Sequence, residues 1–327
     1  MPSGDAAEVL RKWYFCGNEA AISGSRARLL TAAVRSCLER TELRPHMIYD
    51  GPRHPTLRAL RDMGVTVIRH APLLAPSLRH GYGDRYETFR GHWLRIDIPH
   101  VETEDATVLY TDIDVLFRSM PAALRRPETI AVAPERWRFR WRAFNSGVML
   151  MNLPGLRAVD DALREAVRRR LHDGFRYPPH DQASLQAFFG DRADRLPLSM
   201  NWKPYWGVND AAHIVHFHGP TPDVARAVAR KGQGGATDAQ VALLALDPRA
   251  YDAFAAEYDR VRAARGPTVR AAGVGSTRIV DAPPPGRAAR LAQDAGGRAR
   301  EAWRSLRRGD LRGARVPLKR DPAPPRF

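Results

Sequence analysis

The chain contains little cysteine and no long apolar run. Its 327 residues include two cysteines, Cys16 and Cys37, which are too few for a disulfide framework or a cysteine-rich metal knuckle. No stretch approaches the roughly 18 consecutive apolar residues of a membrane-spanning helix. The opening residues, MPSGDAAEVLRKW, also lack the apolar core of a secretory signal. A reduced, cytoplasmic chain is the simplest interpretation.

The net charge of +16 would favour a nucleic-acid-binding protein if it covered a folded surface. The charge is concentrated near the C-terminus instead. Residues 262–327 contain 16 Lys/Arg and 5 Asp/Glu, so they carry +11, and the preceding 261 residues carry only +5. We therefore expect no nucleic-acid partner for the folded body.

The composition also divides the chain into a folded domain, 1–261, and a basic tail, 262–327. Proline-rich runs at 282–286 and 321–327 flank a segment rich in Arg, Ala and Gly, which predicts a largely disordered tail. Within it, RAREAWRSLRR (298–308) could form a short basic helix around Trp303 and Leu306. Such a helix would bind an anionic membrane at its inner face. A solvated tail without a partner is the alternative.

The folded part alternates between two kinds of pattern. Short apolar runs predict strands at 12–16, 46–51, 65–70, 106–114, 129–134, 146–153 and 213–219. Apolar residues at helical spacing predict helices at about 24–40, 55–63, 88–98, 156–171, 181–189 and 251–261. Pro99 is expected to end the helix over 88–98. This alternation predicts an α/β fold with a mostly parallel central sheet, helices on both faces, and ligands at the carboxyl ends of the strands.

The segment VLYTDIDVLF (108–117) delivers two acids to the end of a buried strand. Residues two apart in an extended chain point to the same face, so Asp112 and Asp114 should lie side by side. Two such carboxylates can hold a hard divalent cation together with substrate phosphate oxygens. Capping or turn formation is the structural alternative for both residues.

A second functional interpretation exists for the same acids. Asp-x-Asp-x-Val after a strand resembles the first motif of haloacid-dehalogenase-type phosphatases, in which Asp112 would be the nucleophile and Asp114 the acid/base. That family places the motif on its first strand, whereas about 100 residues precede it here. A non-catalytic binding protein on the same fold is a third possibility.

Three segments follow Asp-Ile-Asp along the chain, in this order: FNSGVMLMNL (144–153), HDQASLQAFF (180–189) and HFHG (216–219). Together with HWLRIDIP (92–99), they resemble the bacterial branch of glycosyltransferase family 8, over about residues 12–220. The resemblance implies a glycosyltransferase-A fold and transfer of a hexose, with retention, from a nucleotide-diphosphate sugar. It also implies a divalent metal, Mn2+ or Mg2+, and a glycan or lipid-linked acceptor.

The resemblance assigns metal ligands residue by residue. Asp112 and Asp114 match the family's metal pair, and His216 matches its third protein ligand. An imidazole ligand suits Mn2+ better than Mg2+. An ordinary core histidine is the alternative for His216, and His218, two residues on, is the fallback ligand.

The resemblance also assigns residues to the donor sugar. Asn145, Ser146 and Gly147 match the segment that lines it, where small residues let a hexose approach the backbone. A tight loop before a strand is the alternative for that segment. Asp112 and Arg95 match donor-contacting residues, and a solvated helix face is the alternative for Arg95.

Asp181 and Gln182 match the pair beside the reacting carbon and are the predicted catalytic residues. The Gln182 carbonyl could stabilise positive charge at that carbon. An N-cap is the structural alternative for Asp181, and the two roles can coexist.

One part of the family pattern is missing. The family commonly continues HFxG into Lys-Pro-Trp, whose lysine meets the diphosphate, but this chain reads HFHGPTPDV. The upstream segment NWKPYW (201–206) supplies Lys203, Trp202 and Trp206, which would either line the site or pack in the core.

Overall fold

The computed structural model describes residues 8–172, 180–232, 235–264 and 275–281. Within these ranges the chain forms eleven strands and eleven α-helices. The strands are β1 (Lys12–Gly17), β2 (Arg44–Tyr49), β3 (Thr66–Arg69), β4 (Thr107–Thr111), β5 (Val115–Phe117), β6 (Ala123–Arg125), β7 (Ile130–Pro134), β8 (Phe144–Asn152), β9 (Asp194–Arg195), β10 (Ile214–His216) and β11 (Arg278–Val280). The helices are α1 (Gly24–Arg40), α2 (Pro55–Asp62), α3 (Ala75–Tyr82), α4 (Tyr86–Trp93), α5 (Ile98–Val101), α6 (Leu153–Ala158), α7 (Asp160–His172), α8 (Asp181–Phe189), α9 (Pro222–Lys231), α10 (Asp238–Leu244) and α11 (Pro248–Ala263).

Seven strands form the central sheet in the order β3-β2-β1-β4-β8-β7-β9. The pairs β3/β2, β2/β1, β1/β4 and β7/β9 are parallel, and β8 runs antiparallel to both β4 and β7. Because β8 is reversed, its amino end lies at the same edge as the carboxyl ends of β1 and β4. The predicted α/β fold with a mostly parallel sheet is confirmed.

Helices cover both faces of this sheet, and the alternation of side chains along β1 shows how. Trp13 and Phe15 pack into a core that includes apolar residues of α1 and α2. Tyr14 points to the opposite face, into a second core built with α3, α4, α7 and α8. Successive side chains of a strand face opposite ways, so one buried strand holds two layers of helices.

The predicted strand over 106–114 is shorter than expected, and a separate strand, β5, follows it. β4 ends at Thr111, and Asp112 and Asp114 lie in the connection to β5. β5 leaves the main sheet and pairs antiparallel with β10, which places Val115 opposite His216. The backbone N–H of Phe217 then donates to the Asp114 carbonyl at 2.9 Å. This pairing brings the HFHG segment to the acids.

The prediction that Pro99 ends a helix over 88–98 is wrong. α4 ends at Trp93, a 3-10 helix follows at Leu94–Asp97, and Pro99 lies in the first turn of α5. Proline is tolerated there because a first-turn N–H has no partner within the helix. As a result, Arg95 lies on a buried 3-10 turn, 5% exposed, and not on a solvated helix face.

Part of the segment assigned to the tail returns to the body. β11 pairs in parallel with β6, and Arg278 also forms an isolated bridge with Val9. Trp303 and Leu306, the centre of the predicted basic helix, lie outside the described residues. Among the residues that are described, no helix is both long and apolar enough to cross a membrane.

Candidate active site

A cleft of about 620 Å³ opens at the edge of the sheet where β1 and β4 end and β8 begins. Seven of the nine predicted site residues line it: Arg95, Asp112, Asp114, Asn145, Ser146, Asp181 and Gln182. The other two, Gly147 and His216, lie next to these residues, because the Gly147 carbonyl accepts from the Asp112 N–H at 2.8 Å and His216 lies 3.3 Å from Asp114. The topology therefore gathers residues from across more than 100 positions of sequence.

Asp112, Asp114 and His216 form a candidate metal centre. Their potential ligand atoms all lie within 4.8 Å of one another, and His216 Nε2 is 3.3 Å from Asp114 Oδ1. The three residues therefore could hold a metal ion. Carboxylate oxygens and an imidazole nitrogen are both ligands of divalent cations.

Gly147 leaves the space in which these side chains meet. A Cβ at this position would lie 2.3 Å from His216 Cε1 and 2.7 Å from Asp112 Oδ2. No other residue fits without displacing one of the two. The family resemblance predicts that Gly147 lets a hexose approach, and the structure shows that its missing side chain makes room for the metal-ligand candidates.

Arg95 joins the two carboxylates of the cleft. Its Nη2 lies 2.8 Å from Asp112 Oδ1 and its Nε 2.9 Å from Asp181 Oδ2, while Nη1 donates to the Ser146 carbonyl at 3.0 Å. Burial opposes its charge, but Asp112 and Asp181 raise the pKa of the guanidinium above its usual value. Burial likewise opposes ionisation of Asp112, but Arg95 and His216 lower the pKa of that carboxyl. Arg95 therefore favours the ionised form of Asp112 and holds both carboxylates in place.

Asp181 is not the N-cap of α8. It is the first residue of that helix, and the N-cap position belongs to His180, which makes no side-chain cap. The Asp181 carboxylate is paired with Arg95 instead. Its neighbour Gln182 accepts, through Oε1, from the Ser146 N–H and from Asn145 Nδ2, both at 3.0 Å.

Two further residues contact the candidate site and were not predicted from the sequence. Glu135 directly follows β7, and its Oε1 accepts from Gln182 Nε2 at 3.0 Å. A hydrogen bond from His218 lowers the pKa of the Glu135 carboxyl, and His218 Nε2 lies 3.5 Å from Glu135 Oε1. An acid after a buried strand is the same signal that singled out Asp112. Asn201 is fully buried and contacts His216, but no sequence pattern marks it.

Lys203 packs in the core and does not line the cleft. It is fully buried, its Nζ donates to the Pro134 carbonyl at 2.8 Å, and it lies 4.4 Å from the centre of the Trp206 ring. Burial lowers the pKa of this ammonium well below its usual value. The indole N–H groups of Trp202 and Trp206 also donate to backbone carbonyls, of Gly207 and Arg136.

No family model and no curated protein matches the chain. Solved structures do match. The galactosyltransferase LgtC, in a complex with donor and acceptor sugar analogues, is 18% identical over 64% of this chain and 88% of its own, with a TM-score of 0.50. A structure of an active-site mutant of LgtC is 16% identical over 72% of this chain and 94% of its own, with a TM-score of 0.51. The chain therefore has a fold of the glycosyltransferase-A type.

Proposed function

We propose that this protein is a metal-dependent glycosyltransferase that moves a hexose from a nucleotide-diphosphate sugar to a glycan or lipid-linked acceptor, with retention. The observation that carries the proposal is the grouping of Asp112, Asp114 and His216 within 4.8 Å at the carboxyl edge of the sheet. Ligands of open α/β sheets bind at that edge. The similarity of fold to glycosyltransferases supports the proposal without identifying the donor.

Asp112, Asp114 and His216 would hold Mn2+ or Mg2+, which when bound offsets charge on the diphosphate leaving group. Arg95 and Tyr110 each donate to Asp112 Oδ1 at 2.8 Å, so they orient the carboxylate and leave Oδ2 for the cation. A donor set held in place by neighbouring hydrogen bonds binds without reorganising.

Arg26 takes the place of the missing lysine in this proposal. The Lys/Arg side chains lining the cleft, among the described residues, are Arg26 and Arg95. Arg95 is already paired with two carboxylates, whereas Arg26 is exposed on the first turn of α1. A diphosphate needs a cation beyond the metal, and an arginine fork matches phosphate oxygens.

Asp181, Gln182, Asn145 and Ser146 would surround the sugar. Arg95 holds one Asp181 oxygen, which leaves the other for sugar hydroxyls. The Gln182 carbonyl accepts from Asn145 and Ser146, and these bonds hold its polar oxygen beside the position proposed for the reacting carbon. Such fixed dipoles stabilise charge that develops during transfer.

The test is titration calorimetry of UDP and GDP with and without Mn2+, followed by a screen of sugar nucleotides for nucleotide release. We expect nucleotide binding that requires Mn2+. Hydrolysis of p-nitrophenyl phosphate without sugar-nucleotide turnover would support the phosphatase alternative, with Asp112 as nucleophile. Absence of both binding and turnover would support a non-catalytic binding protein. The anomeric configuration of the product, read by NMR, tests retention.

Arg26→Ala tests the diphosphate assignment. Loss of one charge-assisted contact should weaken UDP or GDP binding about tenfold. The corresponding monophosphate should be affected less. Arg249→Ala is a matched control, because Arg249 is equally exposed but lies on α11 and does not line the cleft. Equal effects of the two substitutions would contradict a specific role for Arg26.

A further inference from the structure

A continuous row of side-chain amides runs behind the candidate metal centre. It starts at His216 Nδ1, which is 3.0 Å from Asn201 Oδ1. Asn201 Nδ2 lies 3.0 Å from Asn145 Oδ1, and Asn145 Nδ2 lies 3.0 Å from Gln182 Oε1. Gln182 Nε2 completes the row by donating to Glu135 Oε1 at 3.0 Å.

Two backbone groups fix the direction of this row. The Gly147 N–H donates to Asn145 Oδ1 at 3.2 Å, and the Ser146 N–H donates to Gln182 Oε1 at 3.0 Å. A backbone N–H cannot accept a hydrogen bond, so the amide atom facing it must be the oxygen. The orientations of Asn145 and Gln182 therefore follow from the backbone of β8 and not from a choice between similar atoms.

The orientation of Asn201 follows from that of Asn145. Because Asn145 presents an oxygen to it, Asn201 must present its NH2 group in return. The other side of the Asn201 amide, its Oδ1, then faces His216 and can only accept. The proton of the neutral His216 imidazole is consequently held on Nδ1, and Nε2 carries the lone pair.

We propose that Asn201 is a positioning residue that fixes His216 in its Nδ1–H tautomer and so presents Nε2 to a divalent cation. This inference rests on the proposed metal role of His216. It assigns to Asn201, and through it to the backbone of Ser146 and Gly147, control over which nitrogen of the ring can bind metal. Outer partners of this kind set the tautomer and basicity of a ligand histidine.

Because the row of amides is buried, each lost hydrogen bond in it leaves a polar atom without a partner. Asn201 is 0% exposed, Asn145 2% and His216 1%, so solvent has little access to replace a lost partner. A nonpolar side chain at position 201 would leave the His216 Nδ1–H and the Asn145 oxygen each short of one hydrogen bond. The ring would then be free to carry its proton on Nε2, which blocks the ligand position.

The test compares Asn201→Leu with the isosteric Asn201→Asp. Leucine cannot accept from His216, whereas aspartate can. We expect Asn201→Leu to weaken Mn2+ binding, measured by calorimetry, by roughly 10- to 100-fold. Asn201→Asp should bind Mn2+ more tightly than Asn201→Leu, because it keeps the acceptor for the His216 Nδ1–H, although it no longer donates to Asn145. Asn209→Leu is the control, because the Asn209 side chain accepts from the Ala211 N–H, and it should leave Mn2+ binding unchanged.

The tautomer itself is read in the metal-free protein by long-range proton–nitrogen NMR of 15N-labelled histidines at pH 8, with His216 assigned from its loss in His216→Ala. The wild type and Asn201→Asp should show Nδ1–H, and Asn201→Leu should gain Nε2–H. A wild type with Nε2–H, or an Asn201→Leu protein that keeps Nδ1–H and full Mn2+ affinity, overturns the inference. If Asn201→Leu does not fold, the wild-type and Asn201→Asp tautomers decide. A wild type with Nδ1–H that binds no Mn2+ would overturn the proposed function instead.

Discussion

The two ends of the central sheet both bury charged groups, but they satisfy them differently. At the amino end of β1, Lys12 Nζ donates to both oxygens of Glu102, at 3.0 and 2.8 Å. Tyr14 OH and the backbone N–H groups of Glu104 and Asp105 complete the shell of the same carboxylate. At the carboxyl end, Asp114 and His216 face each other across 3.3 Å, beside an open cleft.

The difference separates a structural cluster from a candidate site. Both Glu102 oxygens have donors, and the hydrogen bonds from Lys12 and Tyr14 outweigh burial, so the pKa of this carboxyl is lowered to about 2. The Asp114 carboxylate and His216 Nε2, which carries the lone pair in the inferred tautomer, are both electron-pair donors. A cation between them would satisfy both. Burial of charge alone is therefore a poor marker of function, and mutually facing acceptors at a cleft are a better one.

Removal of a ligand at the carboxyl end should have the largest effect. Asp114→Asn takes a full negative charge from the candidate metal centre. We expect sugar transfer to fall by roughly 100-fold or more, beyond the 10- to 100-fold typical of outer-shell partners. Urea unfolding should be nearly unchanged, and Asp161→Asn on the exposed face of α7 is the matched control. Near-native transfer by Asp114→Asn would remove Asp114 from the metal site.

At the amino end the same kind of substitution should affect stability alone. Lys12→Met leaves the Glu102 carboxylate buried without its cation, which should lower the free energy of unfolding by about 3 kcal/mol. Nucleotide binding should be preserved. Glu104→Gln, which alters only the exposed partner of Lys12, should leave stability nearly unchanged. If Lys12→Met weakened nucleotide binding in its folded state, the two ends would not be independent.

Gly147→Ala tests how closely the side chains of the candidate metal centre pack at the carboxyl end of the sheet. The added methyl would meet His216 and Asp112. Overpacking costs about 1–3 kcal/mol, and if the metal-competent arrangement bears that cost, Mn2+ binding should weaken roughly 5- to 150-fold. Calorimetry measures the change. Gly275→Ala is the control, because its Cβ would meet no atom within 4 Å. Unchanged Mn2+ affinity in Gly147→Ala would mean that His216 and Asp112 can move aside without a cost to metal binding.

Acid should gradually remove the stability that the Lys12–Glu102 cluster contributes at the amino end of the sheet. The pKa of Glu102 is lowered from 4.5 to about 2 in the folded protein. A lowered pKa stabilises the folded state fully above the unfolded value, and this contribution is lost as the pH falls from about 4.5 towards 2. Urea midpoints measured across that window should decline less steeply in Lys12→Met than in the wild type. Parallel declines in the two proteins would contradict the assignment.

The sequence predicted those features that depend on local periodicity. Asp112 and Asp114 were found because a strand pattern and two acids occur within ten residues. Glu135 follows β7 in the same way and was not predicted. The end of β4 at Thr111 could not be predicted, because the chain leaves the main sheet there and β5 pairs with β10, about 100 residues later.

Other features depend on contacts that no local pattern encodes. Lys203 finds its buried hydrogen-bond partner in the carbonyl of Pro134, the last residue of β7, which is 69 positions earlier in the chain. Asn201 contacts Asn145, which is 56 positions earlier. Arg95 was predicted from family resemblance, but its pairing with both Asp112 and Asp181 requires the folded 3-10 turn.

The return of the chain at β11 sets where an attachment can be made. Ile279 N–H donates to the Glu8 carbonyl, and Glu8 Oε1 accepts from the N–H of Thr107, the first residue of β4. This junction lies at the amino ends of the parallel strands, whereas the cleft lies at their carboxyl ends. A tether, label or fused domain joined just after residue 281 would therefore leave the cleft unobstructed, and a protein immobilised on a surface through that point would present its opening outward.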